Sequence, residues 1–209
     1  MQLRRVFLSF ALTLLCGIAV GATPSRAASL GDAGGFIDHL IMQAMSDLRS
    51  TSLSDAQREE RLNALLQENF DIPRITRFVL GRYWATTSEE DRKSFATLFG
   101  QYVVRNYSRR LSQFTEETVK VIGARNESEY GAVVTSNIVH PAGPPTPLEW
   151  RVRNDAGKLR IVDIDVAGIS MALTEREEFS AVIQRSGGSV AELNKALAVR
   201  LRGEAVASH

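Results

Sequence analysis

The spacing of apolar residues changes twice along this chain, and no other feature limits the fold as strongly. Apolar residues recur every three to four positions over residues 32–114, alternate with polar ones over 118–166, and return to the wider spacing after Gly168. The wider spacing predicts α-helices and the alternation predicts strands. Helices on both sides of a block of strands indicate an α+β protein.

Four strands are predicted, and the turns between them are short and rich in Asn, Gly and Pro. The predicted strands are residues 118–122, 130–140, 147–153 and 159–166. Because short connections join antiparallel neighbours, we expect a four-stranded antiparallel sheet with one face packed on helices. In the last strand, the alternation predicts that Val162 faces inward, and that Ile161 shares the solvent side with Asp163 and Asp165.

About six to seven helices are predicted around this sheet, and four of them begin at a capping box. In this motif the side chain of a Ser or Thr at the N-cap accepts a hydrogen bond from the backbone N–H three positions later. The Glu or Gln at that position accepts one in return from the backbone N–H of the N-cap residue. The predicted boxes are Ser54 with Gln57, Thr87 with Glu90, Thr174 with Glu177, and Ser189 with Glu192. The longest helix, residues 87–114, has a wide apolar stripe rich in aromatic residues, which fits either an ordinary core or the wall of a ligand site.

The N-terminus has the pattern of a secretory signal peptide over residues 1–27. Arg4 and Arg5 precede a mostly apolar run, and Ser25 and Ala27 supply small residues for cleavage after Ala27. The run is short for a membrane span, although an uncleaved anchor is the alternative. We expect a single soluble domain, residues 28–209, in the periplasm. The signal carries three arginines and no acid, so cleavage lowers the formal charge from +1 to −2, which does not favour nucleic-acid binding.

The sequence contains no recognisable catalytic or metal-binding constellation. Its three histidines, His39, His140 and His209, are scattered, and its one cysteine, Cys16, lies in the signal. Gly168-Ile169-Ser170 lacks the second glycine of a nucleophile elbow. Asp163 and Asp165 are an alternative acid–base pair, but the alternation places them on the solvent side of a strand. We therefore predict no metal, no cofactor and no enzymatic activity.

Three blocks of sequence carry a family resemblance. They are the FVLGRYW segment at residues 78–84, the aromatic residues of the helix over 95–107, and the VAGIS segment at 166–170 with Arg176 and Phe179 after it. Together they resemble the MlaC family, also called the toluene-tolerance family, and the resemblance extends over residues 36–201. Leu159 and Ala167 depart from it, because they stand where the family often has an aromatic residue and an acid.

The resemblance implies a periplasmic carrier of phospholipid, or of hopanoid as in the similar HpnM branch. Such a carrier exchanges lipid with an inner-membrane ABC transporter complex and an outer-membrane lipoprotein complex. The implied fold is a sheet of the nuclear transport factor 2-like type wrapped by helices around an apolar cavity. A non-catalytic envelope adaptor and, as a further alternative, a small-molecule enzyme on the same fold compete with this interpretation.

Acyl chains require an apolar wall with few polar groups. The long helix and the inward face of the sheet supply such residues, and we expect Tyr83 and Trp84 near the mouth of the cavity. The predicted lipid contacts are Phe78, Val79, Tyr83, Trp84, Phe95, Phe99, Tyr102, Val103, Tyr107, Val134, Ile138, Val152, Ile164 and Val166.

Overall fold

A computed structural model describes residues 30–111, 116–127 and 131–206, and in this part of the chain it shows six α-helices and one sheet of five strands. The helices are α1 (Leu30–Arg49), α2 (Asp55–Asn69), α3 (Ile72–Leu80), α4 (Glu89–Leu111), α5 (Met171–Arg185) and α6 (Val190–Val206). The strands are β1 (Thr118–Glu127), β2 (Gly131–Val139), β3 (Thr146–Asp155), β4 (Lys158–Val166) and β5 (Ile169–Ser170). The α+β class is confirmed, and the predicted signal peptide lies outside the described residues.

The sheet has the order β1-β2-β3-β4-β5, and every neighbouring pair is antiparallel. The prediction of four strands was therefore wrong by one. The additional strand, β5, is two residues long and pairs with the end of β4 through a hairpin at Ala167 and Gly168, whose φ angles are 53° and 86°. Two residues are too few to show alternation, and Ala167 is an unusual residue at a positive φ, so neither signal was present in the sequence.

A bulge in β4 changes which of its residues face inward. Val152 lies opposite Ile161 and Arg151 lies opposite Asp163, so Val162 is the extra residue. Ile161 consequently shares a face with Ile164 rather than with Asp163, and the prediction for Ile161 was wrong. Both Ile161 and Val162 are buried.

Asp165 of β4 is buried and Asp163 is mostly covered, which contradicts their predicted solvent position. The side chains of Asp163 and Asp165 are 10% and 12% exposed, and Arg151 lies between them, with Nη1 2.5 Å from Asp163 and Nη2 3.7 Å from Asp165. Asp163 also accepts hydrogen bonds from Ser170 Oγ and from the backbone N–H of Ala172. These bonds compensate the burial of the carboxylate and fix the start of α5 against β4.

The helix starts agree with two of the four predicted capping boxes. Ser54 and Gln57 form both hydrogen bonds of a box at α2, and Ser189 Oγ accepts from the N–H of Glu192 at α6. At α4, Ser88 rather than Thr87 is the capping residue, because Ser88 Oγ accepts from the N–H of Asp91. At α5 the β4–β5 hairpin sets an earlier start, and Ser170 is the N-cap instead of Thr174.

Three hydrophobic clusters hold the described part of the chain together, and two of them are large. In the first, α3, α4, α5 and α6 pack around an aromatic cluster in which Phe179 contacts Phe95, Phe99 and Tyr102 at ring-centroid distances of 5.7, 6.0 and 5.6 Å. In the second, α1 covers the sheet, with Ile37 and Leu40 against Val134 and other strand residues. None of the helices within the described ranges is long and apolar enough to cross a membrane.

An ion pair across the sheet gives a pH dependence with a defined sign. The hydrogen bonds that Arg125 donates to Glu149 hold the pKa of that carboxyl below its ordinary value of 4.5. Because the folded-state pKa is lowered, the pair stabilises the fold above pH 4.5 and loses its contribution as the pH falls through the folded-state value.

We expect Glu149→Gln to lower the free energy of unfolding at neutral pH by at most about 1 kcal/mol, since both side chains are partly exposed. Urea denaturation at a series of pH values measures this difference. The difference should shrink on acidification, and a difference that grew at low pH would contradict the assignment.

Candidate functional site

A cavity of about 580 Å³ lies between the inner face of the sheet and helices α1 to α5. This volume is within the range of small-molecule sites, about 300–1,000 Å³. Leu40, Ile41 and Ala44 border it from α1, and the strands contribute residues such as Leu148 and Ile164. The cavity therefore occupies the space between the helical core and the sheet core, where neither set of side chains fills the interior.

The wall of this cavity is almost entirely apolar. In the part of the chain that the structure describes, 27 residues line it and three of them are charged: Glu117, Asp163 and Glu175. The polar edge of Trp150 is satisfied, because its Nε1 donates to Ser136 Oγ over 2.8 Å. Asp163 is held by Arg151 as described above. The surface that a ligand would meet is consequently hydrocarbon over most of its area.

Six of the fourteen predicted contact residues lie on this wall. They are Phe99, Val103, Tyr107, Ile138, Ile164 and Val166. The first three follow one another at intervals of four along α4, so they lie on the same side of that helix. The strand residues Ile164 and Val166 project from the same face of β4.

The other eight predicted residues lie elsewhere. Val79, Phe95 and Tyr102 belong to the helical core, and Tyr83 and Trp84 pack against its edge. Val134 and Val152 are covered by α1. Phe78 is 42% exposed on the protein surface. The apolar stripe of α4 meets different neighbours along its length: Phe95 packs in the helical core, whereas Phe99, one turn later, also borders the cavity.

Sequence reasoning missed the contribution of the first two helices. Five residues of α1 and three of α2 line the cavity: Leu40, Ile41, Ala44, Met45, Leu48, Leu62, Leu65 and Leu66. Their helical spacing was visible in the sequence, but these residues were not among the predicted lipid contacts. Spacing shows that a face is buried, but it does not show whether side chains or a cavity lie opposite.

Two of the sequence blocks that carry the family resemblance meet in space. The guanidinium of Arg176, on α5, lies 5.0 Å from the ring centroid of Phe78, on α3. Gly81 ends α3 with φ 52°, and a Cβ placed on it would lie 3.0 Å from Arg176 Nε. The glycine thus provides both the backbone conformation and the space that let Arg176 pack there.

Replacing Gly81 with alanine is therefore expected to lower the free energy of unfolding by about 1–3 kcal/mol, because a non-glycine residue is strained at this φ and crowds Arg176. Urea denaturation tests this. Gly35→Ala is the matched control, since Gly35 is exposed within α1 with no neighbour near an added Cβ, and it should stabilise the protein by up to about 1 kcal/mol. A Gly81 variant as stable as the original protein would contradict the packing described here.

An antiparallel sheet and surrounding helices with an apolar cavity between them place this chain in a class of cavity-containing α+β proteins. Comparison with known families gives the assignment a name. The family model described as MlaC protein matches residues 38–199, which is most of the chain. The chain therefore belongs to the MlaC family, and the resemblance inferred from the three sequence blocks is confirmed.

Individual relatives agree with this assignment. The chain is 24% identical over 113 residues to the intermembrane phospholipid transport system binding protein MlaC of Haemophilus influenzae, covering 52% of this chain and 53% of that protein. It is 20% identical over 132 residues to the toluene tolerance protein ttg2D of Pseudomonas putida, covering 63% and 61%. The matched region thus spans between half and two thirds of the length of these relatives.

A solved structure shares the fold. It is a phospholipid-binding protein from Ralstonia solanacearum in complex with a phospholipid, with a TM-score of 0.71 and 21% sequence identity. The similarity covers 83% of this chain and 98% of that chain.

Proposed function

We propose that this chain is a lipid carrier whose cavity holds the acyl chains of a phospholipid. The observation that carries the proposal is the wall of the cavity of about 580 Å³, which is hydrocarbon apart from three acidic residues. Burial of each methylene contributes about 0.8 kcal/mol, so a chain of about 15 methylenes contributes about 12 kcal/mol before the cost of association. No charged clamp is needed for affinity of that size.

Six of the sequence-predicted residues, together with α1 and α2, form the proposed acyl-chain contacts. Phe99, Val103 and Tyr107 supply one wall, and Ile138, Ile164 and Val166 supply the facing strands. The apolar side chains of α1 close the cavity from a third side. An unpaired polar group would cost roughly 1–3 kcal/mol against an acyl chain. The indole N–H of Trp150 avoids this cost because it donates to Ser136 Oγ.

The cellular setting is part of the same proposal. The signal-like residues 1–27 would direct the chain to the periplasm. The Haemophilus relative is described as belonging to an intermembrane phospholipid transport system, which supports exchange of lipid with partner complexes in the two membranes. Hopanoid is the alternative cargo, and the lipid seen in the Ralstonia structure favours phospholipid.

Two other functions fit the observations less well. An adaptor that binds only protein needs no cavity of this size, because a filled core is more stable. An enzyme needs a reactive group in the cavity, and Asp163 already accepts hydrogen bonds from Arg151, Ser170 and Ala172. Among the residues that the structure describes, no group of histidine, cysteine and acidic side chains could hold a metal ion.

Lipid transfer between vesicles tests the proposal. Donor vesicles carry a fluorescent phosphatidylethanolamine with a quencher, and acceptor vesicles carry neither. We expect the purified protein, at concentrations far below that of the lipid, to raise the transfer rate in proportion to its concentration. A rate no different from that of vesicles alone, with no lipid recovered on the protein, would overturn the carrier function.

A further inference from the structure

Two segments at one end of the sheet, residues 139–148 and 166–174, contain no Asp, Glu, Lys or Arg, although 23% of the chain is charged. The first segment is the loop between β2 and β3 with the residues that flank it, and the second contains β5 and the start of α5. The two segments are in contact, because the backbone N–H of Ala167 donates to the carbonyl of Pro147 over 2.9 Å. We call them together the uncharged rim.

The uncharged rim borders the apolar cavity. Val166 and Ala172 line the cavity, whereas Ala167 and Leu173, the residues that follow them, are exposed. Ile169 lies opposite Val166 in the β4–β5 pair, so both side chains project from the same face of the sheet. Ile169 is nevertheless 59% exposed. At this place a single step along the chain leads from the wall of the cavity to the protein surface.

The outer surface of the rim is apolar and poor in hydrogen-bond donors. Besides Ile169, Leu173 is 46% exposed and Val139 is 36% exposed. Four of the seven residues over 141–147 are prolines, all of them exposed, and a proline has no backbone N–H. A surface with few donors gives up few hydrogen bonds to water when it enters an apolar medium.

The polar side chains of the rim have partners within the protein. The rim contains four of them, on His140, Thr146, Ser170 and Thr174. Nε2 of His140 lies 3.0 Å from Oγ1 of Thr146. Ser170 Oγ donates to Asp163 Oδ2 over 2.6 Å, and Thr174 Oγ1 donates to the carbonyl of Ser170 over 2.9 Å. Leaving water would therefore not leave these side chains without a hydrogen bond.

We propose that the uncharged rim inserts into the boundary between headgroups and acyl chains of a phospholipid bilayer. An apolar surface without Lys or Arg fits this layer and needs no anionic lipid for attraction. A charged protein partner would find no complementary charge on it. The inference rests on the proposed lipid-carrier function, because the inserted rim would bring the edge of the cavity against the acyl chains that have to enter it.

The test is flotation of the protein with vesicles of phosphatidylcholine, and with vesicles that also contain phosphatidylglycerol, at low and at high salt. We expect similar binding to both compositions and no loss of binding at high salt. Ile169→Glu should weaken the binding about tenfold, because it removes the burial of a half-exposed isoleucine and adds a charge. Binding that required phosphatidylglycerol and disappeared at high salt would overturn the proposal.

The matched control is Val199→Glu, since Val199 is 61% exposed and lies on α6, outside the rim. This variant should bind vesicles as the original protein does. Leu173→Glu is a second rim variant, and an acidic residue is favourable in the first turn of α5, so the fold should be retained. It should also weaken binding. If Val199→Glu weakened binding as much as the two rim variants, the rim would not be the inserted surface.

Binding of a short-chain phosphatidylcholine dissolved as a monomer separates this proposal from the carrier function. Ile169 does not line the cavity, so the original protein and Ile169→Glu should bind the monomer with the same Kd. If the original protein bound the monomer but no vesicles, the membrane contact would be overturned and the rim assigned to a protein partner. Absence of monomer binding as well would overturn the carrier function together with the membrane contact.

Discussion

Replacing Ala44 with tryptophan is expected to weaken phospholipid binding about 60- to 200-fold while leaving the fold intact. Ala44 is a half-buried residue of α1 that borders the apolar cavity. An indole at this position would occupy space that about three to four methylenes of the ligand would otherwise fill. At about 0.8 kcal/mol per methylene, the loss is about 2.4–3.2 kcal/mol, which corresponds to the stated change in Kd.

The matched control is Met42→Trp, two residues away on the same helix. Met42 is 58% exposed and does not line the cavity. Titration with a fluorescent phospholipid should give an unchanged Kd for this variant, and urea denaturation should show that both variants are folded. Equal affinities of the Ala44 and Met42 variants would show that the acyl chains bind somewhere other than this cavity.

Replacing Arg151 with methionine is expected to lower the free energy of unfolding by about 3–5 kcal/mol, the largest stability effect that the structure suggests. Arg151 separates the buried carboxylates of Asp163 and Asp165. Its loss would leave two like charges close together with little solvent to screen them. Because Asp163 also holds the start of α5 beside the cavity, the variant should bind lipid less tightly as well.

Arg125→Met is the comparison for this variant. Arg125 also pairs with a carboxylate across the sheet, but it is 49% exposed and its partner Glu149 is 32% exposed. Its loss should therefore cost at most about 1 kcal/mol. Urea denaturation of both variants measures the contrast. A loss below about 1 kcal/mol for Arg151→Met would mean that the buried aspartates do not depend on this guanidinium.

The order of helices and strands followed from the sequence because it depends on spacing that each segment shows by itself. The alternation over β1 to β4 and the wider spacing on both sides of it were enough to predict an antiparallel α+β fold. The bulge at Val162 was not predictable in the same way, since it is a property of the pairing between β3 and β4. One inserted residue changed the facing of Ile161. Asp163 kept its predicted face, but Ser170 and the start of α5 cover that face, which the alternation within β4 could not show.

The family resemblance predicted a cavity, but the spacing of apolar residues did not show which of them line it. Phe95 and Phe99 are four residues apart on α4 and have the same side chain, yet Phe95 packs only in the helical core while Phe99 also borders the cavity. The difference depends on which helices lie opposite, and this is decided by tertiary packing. The same reason explains why the residues of α1 and α2 that form much of the wall were not among the predicted lipid contacts.

The helix starts were only partly predictable from the sequence. Ser54 was recognised correctly because Gln57 stands three positions after it and completes both hydrogen bonds of the box. At α4, Thr87 and Ser88 are neighbours and both have suitable hydroxyls, and the structure selects Ser88 while the Thr87 hydroxyl donates to the carbonyl of Tyr83. Local chemistry therefore narrows the helix start to a few residues, and the contacts around it select one of them.

Native mass spectrometry of the protein purified from the cell envelope tests the central claim most directly, provided that any bound molecule is released and identified. The account predicts a complex with one phospholipid, which the Met42→Trp variant retains in full and the Ala44→Trp variant retains at lower occupancy. A mass equal to that of the polypeptide alone, persisting after incubation with phospholipid vesicles, would contradict the claim that this cavity carries lipid.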